Sequence, residues 1–507
     1  MDAHSPHRRY SRPIRVCCSC VWSCILALLS ASPVFVHAAK APPNILYILC
    51  DDLGINDLHC YGREDHRTPN LDRLAREGTR FTSAYCAQPI CSPSRAAILT
   101  GKAPARLHLT TFLPGRPDAV SQKVLHPEIQ MQVPLTEKML PRYFKDAGYI
   151  CVAIGKWHVG GKGFGPLDHG FDVYHAGQAN TKPSAVQGGK GEYDLTEFAE
   201  RFMETNRNRP FLIYLAHNAP HIPYTAQKVR IENNTNAFEP VYAAMIETID
   251  DTVGRLAAKL DALKLTDNTI VVFTSDNGGL HVPEGGHPKI THNSPYRAGK
   301  GFVYEGGMRI PLIVRWPGQV PPGKVLDAPV INTDWLPTLL ELADQPVPSG
   351  LDGASLAAVL TGRRPAPRRS LFWHFPHYTN QGSRPSGAMR DENWMLVEFY
   401  DDAVAELYDL SNDIPEIRDL ASSQAERVSK MRASLAAWRN SVGAQTNRPN
   451  PDFDPAKFRE LYIDVDPSRF DPAKANQADW QKMQTWRKGM NSVLQETRKA
   501  KRQAGQK

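Results

Sequence analysis

The chain runs to 507 residues, enough for two or three domains or for one large domain with a smaller partner. Hydrophobic residues make up 41% and charged residues 22%, the balance of a globular protein with a real core rather than a disordered one. The formal net charge is +7 with no long Lys/Arg block before the extreme C-terminus, a surplus that favours anionic partners but is too diffuse to argue for nucleic acid.

Arg8, Arg9, Arg12 and Arg15 precede an uncharged stretch that closes on Val36 and Ala38, the pattern of a signal peptide over residues 1–38 cleaved before Ala39. An uncleaved membrane anchor is the competing reading, weakened by Ser30, Ser32, Pro33 and His37. The mature protein is therefore expected to be exported, periplasmic or secreted. Cys17, Cys18, Cys20 and Cys24 fall in the signal, which leaves Cys50, Cys60, Cys86, Cys91 and Cys151. An odd number in an exported chain leaves at least one thiol without an internal partner, and so few cannot form a disulfide scaffold.

"NILYILC" (44–50) reads as a buried strand ending at Asp51-Asp52, and "TPNLDRLAREG" as a helix with a Thr-Pro start and a Gly stop. There follow a helix over 135–146, strands "YICVAIG" and "FLIYLA", a helix over 239–264, strands "TIVVFTSD" and "PLIVRW", and a helix "DWLPTLLELA". Strands alternating with helices predict an α/β domain over 39–367, a mostly parallel sheet sandwiched by helices. "SLFWHF", "NWMLVEFY" and "AELYDL" predict antiparallel strands, with a helix over 424–439, in a smaller α+β subdomain over 368–440. Residues 441–507 read as a helical extension, a decoration or an oligomer contact. It carries "FDPAK" twice, from Phe453 and from Phe470, each Asp-Pro resembling a helix start.

In parallel sheets, ligands bind at the carboxyl ends of the strands. Asp51-Asp52 and Asp276-Asn277 both stand at such ends, and together they offer the oxygen donors that suit Ca2+, or less well Mg2+, over Zn2+. A bare Asp-Asp is more often a turn or a helix cap; the second strand-end pair is what argues for a site. Lys156 and His158 follow one strand and His217 and His221 another, while Lys300 stands between glycines in "AGKG". His374 and His377, with His281, His287 and His292, border a sugar pocket or belong to ordinary loops.

"CSPSRAAILTG", from Cys91 to Gly101, resembles the type I sulfatase signature. "NILYILCDDLG", "GKWHVG", "HNAPHIP", "SDNGG" and "GKGFVYEGGMRIPLIVRWPG" stand in that family's order, so the resemblance spans most of Pro43 to Leu420. It implies an alkaline-phosphatase-like fold and a Cys91 oxidised by a separate maturation enzyme to formylglycine, with Ser92, Pro93, Ser94 and Arg95 as the recognition sequence. The hydrated aldehyde would be a geminal diol beside Ca2+ held by Asp51, Asp52, Asp276, Asn277 and the group at residue 91. Residue 91, just ahead of a helix, would gain from its positive end.

By the same resemblance one diol oxygen attacks sulfur with Asp276 as base, and His221, helped by Lys300, protonates the departing alcohol. His158 then deprotonates the remaining hydroxyl and sulfate leaves. Lys156, His221 and Lys300 bind the sulfate group, and Arg95 holds the diol and the metal ligands. His221 is preferred to His217 because the family's His-x-Pro follows it. The expected substrate is a sulfated carbohydrate. A phosphate or phosphonate ester hydrolase and a non-catalytic glycan binder are the alternatives. Oligomeric state is not legible.

Overall fold

The computed structural model describes residues 41–504; the expected signal peptide, with its arginines and cysteines, lies outside the described residues. β1 (Asn44–Asp51) is apolar at successive positions because both faces of its sheet are covered. Its side chains part by alternation. Ile45, Tyr47 and Leu49 enter one core with Trp335 and Leu336, and Leu46, Ile48 and Cys50 enter another with Leu74, Met245 and Ile249.

β2 (Thr79–Phe81), β3 (Ile150–Gly155), β4 (Val173–His175), β5 (Phe211–Pro220), β6 (Thr269–Ser275), β7 (Leu312–Arg315) and β8 (Lys324–Leu326) complete an eight-stranded sheet. Its order is β8-β2-β7-β6-β1-β5-β3-β4, parallel throughout except where β7 runs against β2 and β6. The helices α1 (Pro69–Glu77), α4 (Glu192–Thr205) and α5 (Pro240–Ala262) cover the Leu46 face. The other face is covered by α2 (Cys91–Thr100), α3 (Leu140–Asp146) and α6 (Trp335–Leu342).

The four central strands matter most for function. β6, β1, β5 and β3 are adjacent and parallel, with Cys50 level with Ser275 and Gly155 level with Ala216. Their carboxyl ends therefore open on one crevice, where Asp51, Asp52, Lys156, Asp276 and Asn277 are delivered.

β9 (Leu371–Phe375), β10 (Ser386–Asp391), β11 (Trp394–Phe399) and β12 (Ala405–Asp409) form the expected antiparallel sheet, with α7 (Ala425–Ser441) packed on it through Met431 and Leu435. β10 had no sequence signal: "SGAMRD" has no β-branched residue and is a strand because two neighbours pair with its backbone. α3 starts at Leu140 rather than at residue 135, since Pro141 suits a first helical turn and not an interior.

The two "FDPAK" copies diverge. Asp454 caps α8 (Pro455–Tyr462) by accepting the Ala456 and Lys457 N–H groups, as expected. Asp471 caps only a turn, through Ala473 N–H, because Asn476 takes the Ala478 and Asp479 N–H groups and starts the next helix, α9 (Gln477–Ala504), itself. Leu461, Met483, Trp486 and Met490 of this extension pack on Leu280 and Val282, just beyond Asn277. The extension thus braces a loop of the crevice. Among the described residues, all five cysteines are unpaired and no helix is long and apolar enough to cross a membrane.

Candidate active site

The crevice is built around the start of α2. Cys91 is the first residue of that helix rather than lying ahead of it, and it is 2% exposed. Its Sγ stands 3.4 Å from Asp51 Oδ1 and 3.8 Å from Asp52 Oδ1. Ser92 Oγ accepts the Leu113 N–H at 3.1 Å and Ser94 Oγ accepts from Asn332 Nδ2 at 2.8 Å, so both signature serines also tie α2 to neighbouring segments.

Arg95, one turn into α2, is fully buried and links three strand ends. Its Nε donates to Asp276 Oδ2 at 2.8 Å, Nη2 stands 2.8 Å from the same oxygen and 3.5 Å from Asp51 Oδ1, and Nη1 donates to Lys156 O at 2.9 Å. The second Asp276 oxygen accepts the Asp52 N–H at 3.1 Å. Asp52 itself takes a left-handed backbone, φ 68°, a conformation that costs a non-glycine residue free energy and gathers at functional sites.

Two ammonium groups complete the centre. Lys156 Nζ lies 2.6 Å from Asp51 Oδ2, and Lys300 Nζ lies 2.7 Å from Asp52 Oδ2. Lys300 is held over the crevice by its neighbours: a Cβ on Gly299 would lie 2.3 Å from Gly279 O, and Gly301 has φ +87°. Only glycine allows that approach and that turn. Burial alone would raise the Asp51 carboxyl, but Lys156, His221, Arg95 and Lys300 hold it well below the usual carboxylate range. Asp52 is lowered in the same way, Lys300 acting most strongly against burial. Burial pushes the Asp276 carboxyl up despite Arg95, and it pushes the Cys91 thiol well up.

His221 follows β5, with Nε2 3.6 Å from Asp52 Oδ2 and Nδ1 2.6 Å from Ile222 O. Burial, then Lys300, lowers its pKa. His158 donates from Nε2 to Leu113 O at 3.0 Å, leaving Nδ1 buried without a partner, and burial with Lys156 brings its pKa down to about 3. His217 instead faces Thr252 Oγ1 at 3.5 Å, on the far side of the sheet from α2.

One carboxylate oxygen each from Asp51 and Asp52, Cys91 Sγ and a ring nitrogen of His221 all lie within 4.8 Å of one another, a set able to hold a metal ion. Asn277 donates from Nδ2 to Asp52 Oδ1 at 2.8 Å, and its Oδ1 is buried with no hydrogen-bond partner. An orphaned acceptor beside carboxylates is what a hard cation would satisfy. Asp276 stands beside that tight set, its Oδ1 accepting the Asp52 N–H and its Oδ2 facing Arg95, each oxygen keeping a further lone pair.

Every predicted site residue thus meets in one place. The loop histidines do not: His281 contacts Pro467 O, His374 contacts Tyr400 and Gln445, and His377 contacts Thr110, all buried. His287 accepts the Tyr224 N–H, and the His292 ring lies edge-on to Phe238. Sequence reasoning missed Lys190, which is buried beside the His221 loop. Its signal was available, because Gly-Lys-Gly occurs at Lys162, Lys190 and Lys300, but Lys162 is exposed and the triplet alone does not separate them.

A doubly covered sheet with a carboxylate–cysteine–arginine–lysine centre at its carboxyl edge defines a hydrolase of the alkaline-phosphatase-like class. The sulfatase family's sequence profile matches residues 43–345, and that of the C-terminal part of N-sulphoglucosamine sulphohydrolase matches residues 298–441. N-acetylgalactosamine-6-sulfatase of Sus scrofa is 36% identical over 390 residues, covering 69% of this chain and 72% of that one. Arylsulfatase A of Homo sapiens is 33% identical over 393 residues, covering 68% and 72%. The crystal structure of Ps i-CgsB in complex with a neocarrahexaose superposes with a TM-score of 0.68 at 28% identity, covering 88% of this chain and 97% of that one. The chain belongs to the sulfatase family and is a sulfuric ester hydrolase.

Proposed function

We propose that the protein removes sulfate from sulfated carbohydrates at residue 91, after a maturation enzyme has converted Cys91 to formylglycine, with a bound Ca2+. The observation that carries this is the meeting of Asp51, Asp52, Cys91 and His221 within 4.8 Å, with Lys156 and Lys300 on the same carboxylates. The saccharide is supported by the galactosamine sulfatase relative and by the carrageenan oligosaccharide bound to the structural neighbour.

Asp51, Asp52, Asp276 and Asn277 would hold the cation with the group at residue 91. Three carboxylates against Arg95, Lys156 and Lys300 leave the side chains balanced, so a divalent ion makes the centre positive toward a sulfate ester. When bound, that ion neutralises sulfate oxygens and acidifies a hydroxyl. The hydrated aldehyde supplies a nucleophile with a second hydroxyl, which allows release where a serine ester would stall. Arg95 fixes the strand ends. Lys156 and Lys300 bind sulfate oxygens.

His221 delivers a proton from Nε2 to the departing alcohol as the imidazolium, which Asp52 and Asp51 favour against burial and Lys300, its Nδ1–H being held on Ile222 O. His158, whose Nε2–H is engaged by Leu113 O, has its lone pair free at Nδ1 and is kept neutral by its low pKa, the state a base needs. In the proposed division of the chain, residues 39–367 carry the chemistry, 368–440 form the subdomain and 441–507 brace it. Export through residues 1–38 fits a substrate outside the cell.

The test is a panel of sulfated mono- and disaccharides run beside phosphate esters of the same alcohols. Sulfate release from at least one saccharide, well above any phosphate release, is expected. Turnover of phosphate esters alone would contradict the reading.

A further inference from the structure

Lys190 stands in "QGGKGEY", well separated in sequence from every residue of the reaction centre, yet it is 2% exposed. Its Nζ donates to His221 O at 2.5 Å and to Ile222 O at 3.2 Å. The Ile222 carbonyl also accepts Nδ1–H of His221 at 2.6 Å, so one buried ammonium grips the two carbonyls that set the backbone and the ring of His221. An ammonium has three donors and no acceptor, and burying it is costly unless its hydrogen bonds are met. Here the observed partners are the carbonyls of a single short loop.

The surrounding segment is shaped for this approach. A Cβ on Gly189 would lie 2.6 Å from Thr225 O and 3.2 Å from Ala226 Cα, so the chain passes the His221 loop at backbone distance. Glu192, in the first turn of α4, accepts the Lys190 N–H at 2.6 Å and anchors the lysine's own backbone.

We propose that Lys190 is a positioning residue for His221: it locks the carbonyls of residues 221 and 222 so that the imidazole keeps Nδ1–H on Ile222 O and presents Nε2 to the departing alcohol. The hydrogen bonds of the ammonium go to backbone carbonyls and not to a side chain of the reaction centre. The inference rests on the leaving-group role proposed for His221.

The test compares two esters. 4-Nitrophenyl sulfate releases a phenolate that needs no proton, whereas a sulfated sugar releases an alkoxide that does. Lys190→Met is expected to lower kcat on the sugar ester roughly tenfold or more at nearly unchanged KM, and to change the nitrophenyl rate less than about threefold. His221→Gln should show the same selectivity. The double variant should be no slower on the sugar ester than His221→Gln alone, because the lysine acts through the histidine. Lys190→Arg, which keeps a cationic donor, should recover part of the loss.

Equal losses on both esters, no loss on the sugar ester, or losses that multiply in the double variant would overturn the inference. If Lys190→Met does not fold, Lys190→Gln, whose uncharged amide keeps two N–H donors, carries the comparison. Failure of both to fold assigns the residue to stability and also overturns it. If His221→Gln itself slows both esters equally, the role of His221 fails. If only Lys190→Met lacks selectivity, the present inference fails alone.

Discussion

Arg95 shows how one side chain can hold a reaction centre together. Its guanidinium spans Asp276, Asp51 and the Lys156 carbonyl, and its ion pairs with the two carboxylates are buried. Removing one partner of a buried ion pair leaves an uncompensated charge, so Arg95→Met should cost roughly 3–5 kcal/mol in urea unfolding and abolish turnover. Arg95→Lys should recover little, because a point ammonium cannot replace a planar fork on separated acceptors. An unchanged unfolding midpoint would show that Asp276 finds another donor. At this scale the sequence was informative wherever a motif followed a strand: Asp51, Asp52, Lys156, His158, His221, Asp276 and Asn277 stand at or just beyond strand ends, whereas Lys300 was marked only by its flanking glycines and the family resemblance. It did not separate Lys190 from the exposed Lys162 in the same Gly-Lys-Gly triplet, and it was silent on the Leu113 carbonyl that orients His158. Those contacts form only when distant loops cross, and no local pattern encodes a crossing.

The strands and loops carry these residues, and their ends are tightly built. Gly155 closes β3 with φ +86°, and a Cβ there would lie 2.0 Å from Ala216 O, the carbonyl that receives the Lys156 N–H at 2.9 Å. Gly155→Ala must therefore push β3 from β5 and move Lys156 with it. A loss of roughly 2–4 kcal/mol in stability is expected, with a fall in kcat larger than the loss of folded protein explains. Full activity in the folded fraction would mean that Lys156 is not held by this strand end. The α/β alternation was legible because buried parallel strands are short continuous apolar runs between helical patterns. β10 was not, since its pairing and not its composition makes it a strand. The second "FDPAK" copy misled for a related reason: an Asp-Pro start signal acts only if no stronger cap follows, and Asn476 follows.

Across the whole molecule, burial of neutral histidines sets a dependence of stability on pH. His217, His281 and His374 each have pKa values lowered by burial to about 4. Between that value and an unfolded pKa of about 6.5, the unfolded chain binds protons that the native chain does not, so stability rises with pH there and falls on acidification. Each contributes roughly 2 kcal/mol of lost stability at pH 5. Thermal unfolding should therefore show a falling Tm from pH 7 to pH 5, partly relieved in His281→Gln; a flat profile would show these rings charging without cost. The C-terminal extension, read from sequence as decoration or an oligomer contact, packs on Leu280 and Val282 and so ties the far end of the chain to the loop after Asn277. The central claim, that residue 91 is the modified nucleophile of a sulfate ester hydrolase, is tested most directly by mass spectrometry of the Cys91 peptide in preparations made with and without a maturation enzyme, each assayed for sulfate release. Turnover proportional to the fraction of Cys91 converted to formylglycine is predicted; full turnover by a preparation whose Cys91 remains a thiol would contradict it.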